Sequence, residues 1–249
     1  MKLSLKKTLL RVVLPGAIVL ISIFSVFAKE DFELKRRQMM LDVQQMTKMS
    51  EPYTGIETMS QTVADAMLTV PRHKFIPKSQ RRYAYENRAL PITHSQTISQ
   101  PYIVALMTEL AAVNSDSIVL EVGTGSGYQA AVLSEIVNHV YSIEIIEPLG
   151  LATKSLLKDL GYDNITVNIG DGYFGWPEHA PFDAILVTAA APHVPEALLE
   201  QLKPGGRLVI PVGASSLAQS LKLFIKGSNG EIQEQEILPV AFVPLTGEH

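Results

Sequence analysis

Cysteine is absent from all 249 residues. That excludes disulfides, thiolate nucleophiles and cysteine-based zinc sites, so any chemistry must come from other groups. Basic residues are also in short supply: 21 lysines and arginines face 25 aspartates and glutamates, for a formal charge of -4. Such a balance argues against nucleic acid as the principal ligand, because no excess of cations is available to neutralise a phosphate backbone. There is no internal repeat and no low-complexity segment, and nothing in the sequence demands a metal. What remains is a chain with 47% hydrophobic residues, enough for one α/β domain with a sizeable core and modest extensions.

The longest apolar run lies at residues 12–28, preceded by Lys2, Lys6, Lys7 and Arg11 and broken only by Pro15, Gly16 and two serines. It shows no polar face at a 3.6-residue period, so residues 1–28 read as an export signal or membrane anchor outside the fold. Val26 and Ala28 occupy the small-residue positions expected before a cut after Ala28, and cleavage and retention both stay open. Lys29, Lys35, Arg36 and Arg37 follow the run, so flanking charge does not set its orientation.

Residues 29–50 are charged and methionine-rich, with Phe32, Leu34, Met39, Leu41, Val43 and Met46 at helical spacing. This predicts a helical lead-in whose methionines fill packing gaps. Residues 51–112 hold two further helical stretches, 58–68 and 102–110, around a mixed basic and aromatic segment at 72–85. Over 113–249 the pattern becomes an alternation. Strands are expected at 118–122, 140–145, 165–169, 184–187 and 208–212, and helices at 128–137, 149–160 and 195–202. A turn is expected at Lys203-Pro204-Gly205-Gly206, and two late strands at 220–225 and 237–242. Such alternation predicts an α/β fold: a mainly parallel twisted sheet with helices on both faces.

The most informative local feature is VLEVGTGSGYQ at residues 119–129, where a strand runs into Gly123, Gly125 and Gly127 and then a helix. Glycines let backbone turn and approach a ligand closely, and the helix N-terminus offers free N–H groups, so a nucleotide-like cofactor should lie here. Some twenty residues on, Glu144 ends the second strand, where its carboxylate can accept from both hydroxyls of a ribose. A nicotinamide dinucleotide needs the same acid. The loop, however, is GTGSG and not GxGxxG, and a charged Glu121 at the strand end would oppose a pyrophosphate while favouring a sulfonium or amino group. These features favour S-adenosylmethionine. Gly170-Asp171-Gly172 ends a third strand at the same edge, where Gly172 gives a flexible turn. Asp171 there has two readings, an acceptor for the adenine amino group or a turn aspartate bonding its own backbone.

From about Glu51 to Gly247 the chain resembles the bacterial protein-L-isoaspartate O-methyltransferases, within the Rossmann-like class I S-adenosylmethionine-dependent methyltransferases. The resemblance is carried by PRHKFIP (71–77), ALPITHSQTISQPYIVALMTE (89–109), EVGTGSGYQ, GDGYFGW (170–176), FDAILVTAA (182–190), LKPGGRLVIPVG (202–213) and FVPLTG (242–247). QTISQP and FVPL are the motifs most particular to the family. The resemblance implies that Ser99 has the active-site role, that Thr97 and Ile98 line the cleft for cofactor and substrate, and that isoaspartyl proteins and peptides are the substrates. Ser99 also has a second reading, as N-cap of the 102–110 helix with Pro101 in the first turn. The methyl ester formed would cyclise to a succinimide that reopens partly to normal aspartate. Thr93 and Ser95 stand where relatives usually carry glycines, and Ala241 where arginine is common. The competing functions are a methyltransferase for another acceptor, an exported binding protein of the same fold, and a dehydrogenase. The leader implies an exported, periplasmic or membrane-anchored enzyme with membrane contact through residues 1–28. The cytoplasm, where the cofactor is made, is the alternative.

Overall fold

Parallel strands with helices between them account for the central part of the computed structural model, which describes residues 16–213 and 218–247, with side chains from Phe32 onward. In chain order the elements begin with helix α1 (Gly16–Thr54) and helix α2 (Gln61–Thr69). Two short strands, β1 (Leu90–Pro91) and β2 (Thr97–Ile98), pair antiparallel and lead into α3 (Pro101–Ala111). Then come β3 (Ile118–Val122), α4 (Tyr128–Ser134), β4 (His139–Glu144), α5 (Glu147–Asp159), β5 (Ile165–Ile169) and β6 (Phe182–Val187). The chain continues through α6 (Glu196–Glu200), β7 (Leu202–Val212), β8 (Gln219–Lys226) and β9 (Ile232–Val240).

Seven strands form one sheet in the order β5-β4-β3-β6-β7-β8-β9. β5 through β7 run parallel, and β8 and β9 add antiparallel at one end. From β3 the chain moves outward to β4 and β5, then crosses back to β6 on the other side of β3. The crevice above the β3–β6 boundary is thus a topological switch point, where open α/β sheets receive ligands. β3 and β6 hold the centre because helices cover both their faces: Val119, Leu120, Ala184, Ile185, Leu186 and Val187 are wholly buried.

α1 is one continuous helix that runs through the expected boundary between residues 1–28 and 29–50. Residues 1–15 of the expected leader lie outside the described residues. Among the described residues no helix is long and apolar enough to cross a membrane. Met39, Met40, Val43 and Thr47 form the buried face of α1, which bears out the packing role expected of its methionines. Arg36 clamps α1 to the end of α2 through Nη1, which donates to Leu68 O at 2.5 Å and Thr69 O at 2.9 Å.

Three expectations need correction. The Lys203–Gly206 segment is no free turn but part of β7, where Gly205 takes a φ of +83° and the register against β6 shifts; glycine there lets the strand bulge and keep pairing. β9 begins at Ile232, well before the expected 237, because Gln233–Glu236 pair with β8 on an exposed sheet edge that needs no apolar pattern. Ser99 is not the cap of α3: Gln100 is, with no side-chain capping bond, and Pro101 opens the helix.

Gly150, on the face of α5 toward the sheet, measures how closely that helix is seated. Alanine there gains about 1 kcal/mol of helix propensity. Its Cβ, however, would fall 2.3 Å from Ile169 Cδ1 and 3.1 Å from Glu144 Cβ, and overpacking of this kind costs about 1–3 kcal/mol. Glu144 Cβ belongs to a strand end and cannot swing aside, so Gly150→Ala should lower the urea unfolding midpoint, by about 1 kcal/mol net. A raised midpoint would mean that α5 can lift off the sheet freely.

Candidate active site

Two hollows open at the carboxyl edge of the sheet and share a wall. The first is a slot lined by Glu121, Gly123, Gly125, Glu144, Gly172 and Thr188, with residues 243–246 closing one side. The second is a basin of about 490 Å³ bounded by Arg88, Ile103, Pro239, Ala241 and Phe242. Thr97 and Ser99 line both, and Ile98 lines the first.

The slot exists because the chain after β3 turns without side chains in the way. Gly123, Gly125 and Gly127 have φ of +98°, +52° and +83°, in the left-handed region that favours glycine. A Cβ on Gly123 would stand 2.6 Å from Thr188 Oγ1, and that hydroxyl instead donates to Gly123 O at 2.6 Å. Gly127 begins α4 as its cap and packs beneath the loop. A Cβ there would meet Thr153 Cγ2 at 2.7 Å. Gly172 gives the third strand end its close approach, since a Cβ would fall 2.4 Å from Val122 Cγ1.

Glu144 is buried, and its two oxygens hold the loop in shape. Oε2 accepts from Gly125 N at 2.8 Å and Oε1 from Ile146 N at 2.9 Å. Glu121 is fully buried on the slot wall. Its Oε2 accepts from Ser142 Oγ, which also meets Thr124 Oγ1 at 2.7 Å. Oε1 makes no hydrogen bond of normal geometry, the Ala130 amide exerting only a weak pull. Burial drives the Glu121 carboxyl up to about 8, the Ser142 bond opposing this and the charge of Glu144 adding to it. The expectation of a charged Glu121 therefore needs correction for the ligand-free protein: near neutral pH this acid is mostly protonated.

Ser99 follows β2. Its carbonyl accepts from Arg72 Nη2 at 2.7 Å, while its hydroxyl bonds to no other described residue. Of the other expected site residues, Gly127 and Asp171 do not line either hollow. Asp171 Oδ1 accepts from Tyr173 N at 2.9 Å, the turn-aspartate reading. His94 and His193 line neither hollow; His193 Nε2 meets Tyr173 OH at 2.8 Å on the surface. His94 and Ser95 both have positive φ, of 56° and 58°, so the backbone here keeps a shape suited to glycine although the sequence departs from it.

Thr188 and residues 243–246 also line the slot, although sequence position alone gives them no site role. They reach the slot through contacts between distant segments. The C-terminal stretch is pinned beside β6 by Ala190 N to Val243 O at 2.8 Å and Leu245 N to Ala190 O at 2.7 Å. The available signal was their position inside FDAILVTAA and FVPLTG.

The model of the protein-L-isoaspartate(D-aspartate) O-methyltransferase family matches residues 43–249. Protein-L-isoaspartate O-methyltransferase 2 of Syntrophobacter fumaroxidans is 54% identical over 89% of this chain and 90% of its own length. The Polaromonas sp. protein of the same name is 57% identical over 84% of this chain and all of its own. Among solved structures, a protein-L-isoaspartate O-methyltransferase superposes with a TM-score of 0.73 at 31% identity, covering 85% of this chain and 66% of that one. A β-aspartate methyltransferase from Plasmodium falciparum, solved in complex with S-adenosyl-L-homocysteine, gives 0.66 at 27% identity over 76% of this chain and 92% of that one. With its sheet order, its glycine slot and this extent of similarity, the chain belongs to the protein-L-isoaspartate(D-aspartate) O-methyltransferase family.

Proposed function

We infer that this chain transfers a methyl group from S-adenosylmethionine to the free carboxylate of L-isoaspartyl residues in damaged proteins, with Ser99 standing between donor and acceptor. The observation that carries the reading is the shared wall: Thr97 and Ser99 face both the glycine-lined slot and the basin beside it. Such an arrangement lets two different molecules approach one another from opposite sides.

The slot fits the cofactor on its own chemistry. Gly123 and Gly172 leave room where a Cβ would clash. Glu144 oxygens each accept one backbone N–H and keep a lone pair for a ribose hydroxyl. Glu121 Oε1 is a buried oxygen without a good partner, suited to a nearby cationic group. When bound, S-adenosylmethionine supplies an electrophilic methyl group. The acceptor carboxylate is already ionised near neutral pH, so no strong base is required of the protein. What the residues do is position the acceptor and exclude water. The Ser99 hydroxyl orients the carboxylate by donating to it and does not attack. Among the described residues, Arg88 is the only charged one lining the basin. Its Nε pairs with Glu86 Oε2 at 2.6 Å, and half of its side chain is exposed. The remaining guanidinium N–H groups supply a cation near an acceptor carboxylate in a chain that has Ala241 at the position where arginine is common.

Full-length protein with labelled S-adenosylmethionine should place base-labile methyl ester on an L-isoaspartyl peptide and not on its aspartyl twin. Ser99→Ala should reduce kcat by about tenfold or more, the loss of a charge-assisted hydrogen bond; equal labelling of both peptides would overturn the acceptor assignment. Arg88→Ala should raise KM for the isoaspartyl peptide several-fold, by about 1 kcal/mol for a half-exposed charge, with kcat nearly unchanged. An unchanged KM would remove Arg88 from the acceptor site.

Glu121 predicts a pH dependence. Its carboxyl lies at about 8 in the free protein, and a cationic ligand favours the charged form. Binding should therefore release a proton, and affinity for S-adenosylmethionine should rise as pH climbs toward 8 and level off above it. In Glu121→Gln that component of the pH dependence should vanish. Parallel curves for variant and native protein in calorimetric titrations would show that Glu121 does not change charge on binding.

A further inference from the structure

Arg72 is the most anomalous charge among the described residues. It is wholly buried, forms no ion pair with a described carboxylate, and leaves Nη1 without a hydrogen bond. Burial lowers its pKa to about 10, opposed by Tyr128 and Tyr85, so it stays protonated near neutral pH. A buried, unpaired cation is a poor way to gain stability, since an apolar side chain of similar volume would avoid the desolvation. Its contacts suggest another use. Nε donates to Ala84 O at 2.9 Å and Nη2 to Ser99 O at 2.7 Å. The guanidinium also lies 4.8 Å from the ring of Tyr128, the first residue of α4. One rigid planar group thus touches the residue between the two hollows and the helix that follows the glycine loop. A flexible ammonium cannot reproduce this, because a guanidinium presents its donors in a fixed fork and stacks on an aromatic face.

We propose that Arg72 is a positioning residue, fixing the Ser99 carbonyl, and with it the Ser99 hydroxyl, relative to the glycine loop and α4. This rests on the assignment of Ser99 to the acceptor side made above. The fork sets where the serine stands; it does not touch either substrate.

The test is a double-mutant cycle in the full chain, with Arg72→Met and Ser99→Ala made singly and together. Each protein is checked for folding by thermal melt, kcat is measured on an isoaspartyl peptide, and binding of S-adenosylhomocysteine is measured by calorimetry. Arg72→Met should lower kcat by about 10²-fold, as expected for misplacement at a reacting centre, while the Kd for S-adenosylhomocysteine shifts by less than about threefold. In the Ser99→Ala background the same change should cost less than about threefold, because the group it positions is gone. Arg72→Lys, which keeps the charge on a single donor nitrogen without the fork, should recover part of kcat, and it replaces Arg72→Met in the cycle if the latter does not fold. The inference is overturned by an equal loss in both backgrounds, by an unchanged kcat, or by a Kd that weakens in step with kcat. A fully active Ser99→Ala overturns the Ser99 assignment and this inference together. A defective Ser99→Ala with additive effects overturns this inference alone.

Discussion

Gly123 stands where β3 ends and β6 ends beside it, and a side chain there is disfavoured twice, by a φ of +98° and by a Cβ that would stand 2.6 Å from Thr188 Oγ1. The contact is reciprocal: the same hydroxyl closes onto Gly123 O. If the loop moved out to admit a larger residue, Glu144 would lose Gly125 N as its donor, and α4 would start elsewhere. The slot, the seating of α4 and the orientation of Glu144 all follow from this one close approach between two neighbouring parallel strands.

Around that point two ordinarily charged side chains among the described residues, Glu121 and Arg72, are wholly enclosed, which an architecture built only for stability would avoid. Glu121 resolves the conflict by holding its proton, and Arg72 by donating to two carbonyls and lying over an aromatic ring. The difference reflects chemistry. A carboxyl can be neutralised cheaply near physiological pH, whereas a guanidinium stays charged and must be solvated by the protein itself. One group is therefore free to change charge when a ligand arrives, and the other acts as a fixed strut.

Much of this arrangement is legible in the sequence, for definable reasons. The strand at 118–122 is a largely apolar run and that at 165–169 alternates apolar and polar residues, both bounded by turn residues, and the structure places them at those residues. The glycine loop announces itself because its spacing serves one purpose. β9 is harder to read, since its first half faces water at a sheet edge and has no buried side to impose a pattern. Arg72 sits in a mixed basic and aromatic segment that carries no clear signal, and only folding reveals that it is wholly enclosed. Thr188 and Val243 are ordinary residues made part of the site by long-range contact. Glu121 is legible at the strand end, but its charge state depends on burial, which sequence position does not report.

The stretch that closes the slot, held by Ala190 against Val243 and Leu245, belongs to the site as fully as the glycine loop does, yet the ribosome makes it some 120 residues later (Gly123 to Val243). Domains generally fold as units. Until that segment docks, one flank of the slot and the Phe242 side of the basin are missing. The slot is thus made jointly by a loop and a segment far apart in the chain, and it is complete only when that short segment is docked beside β6.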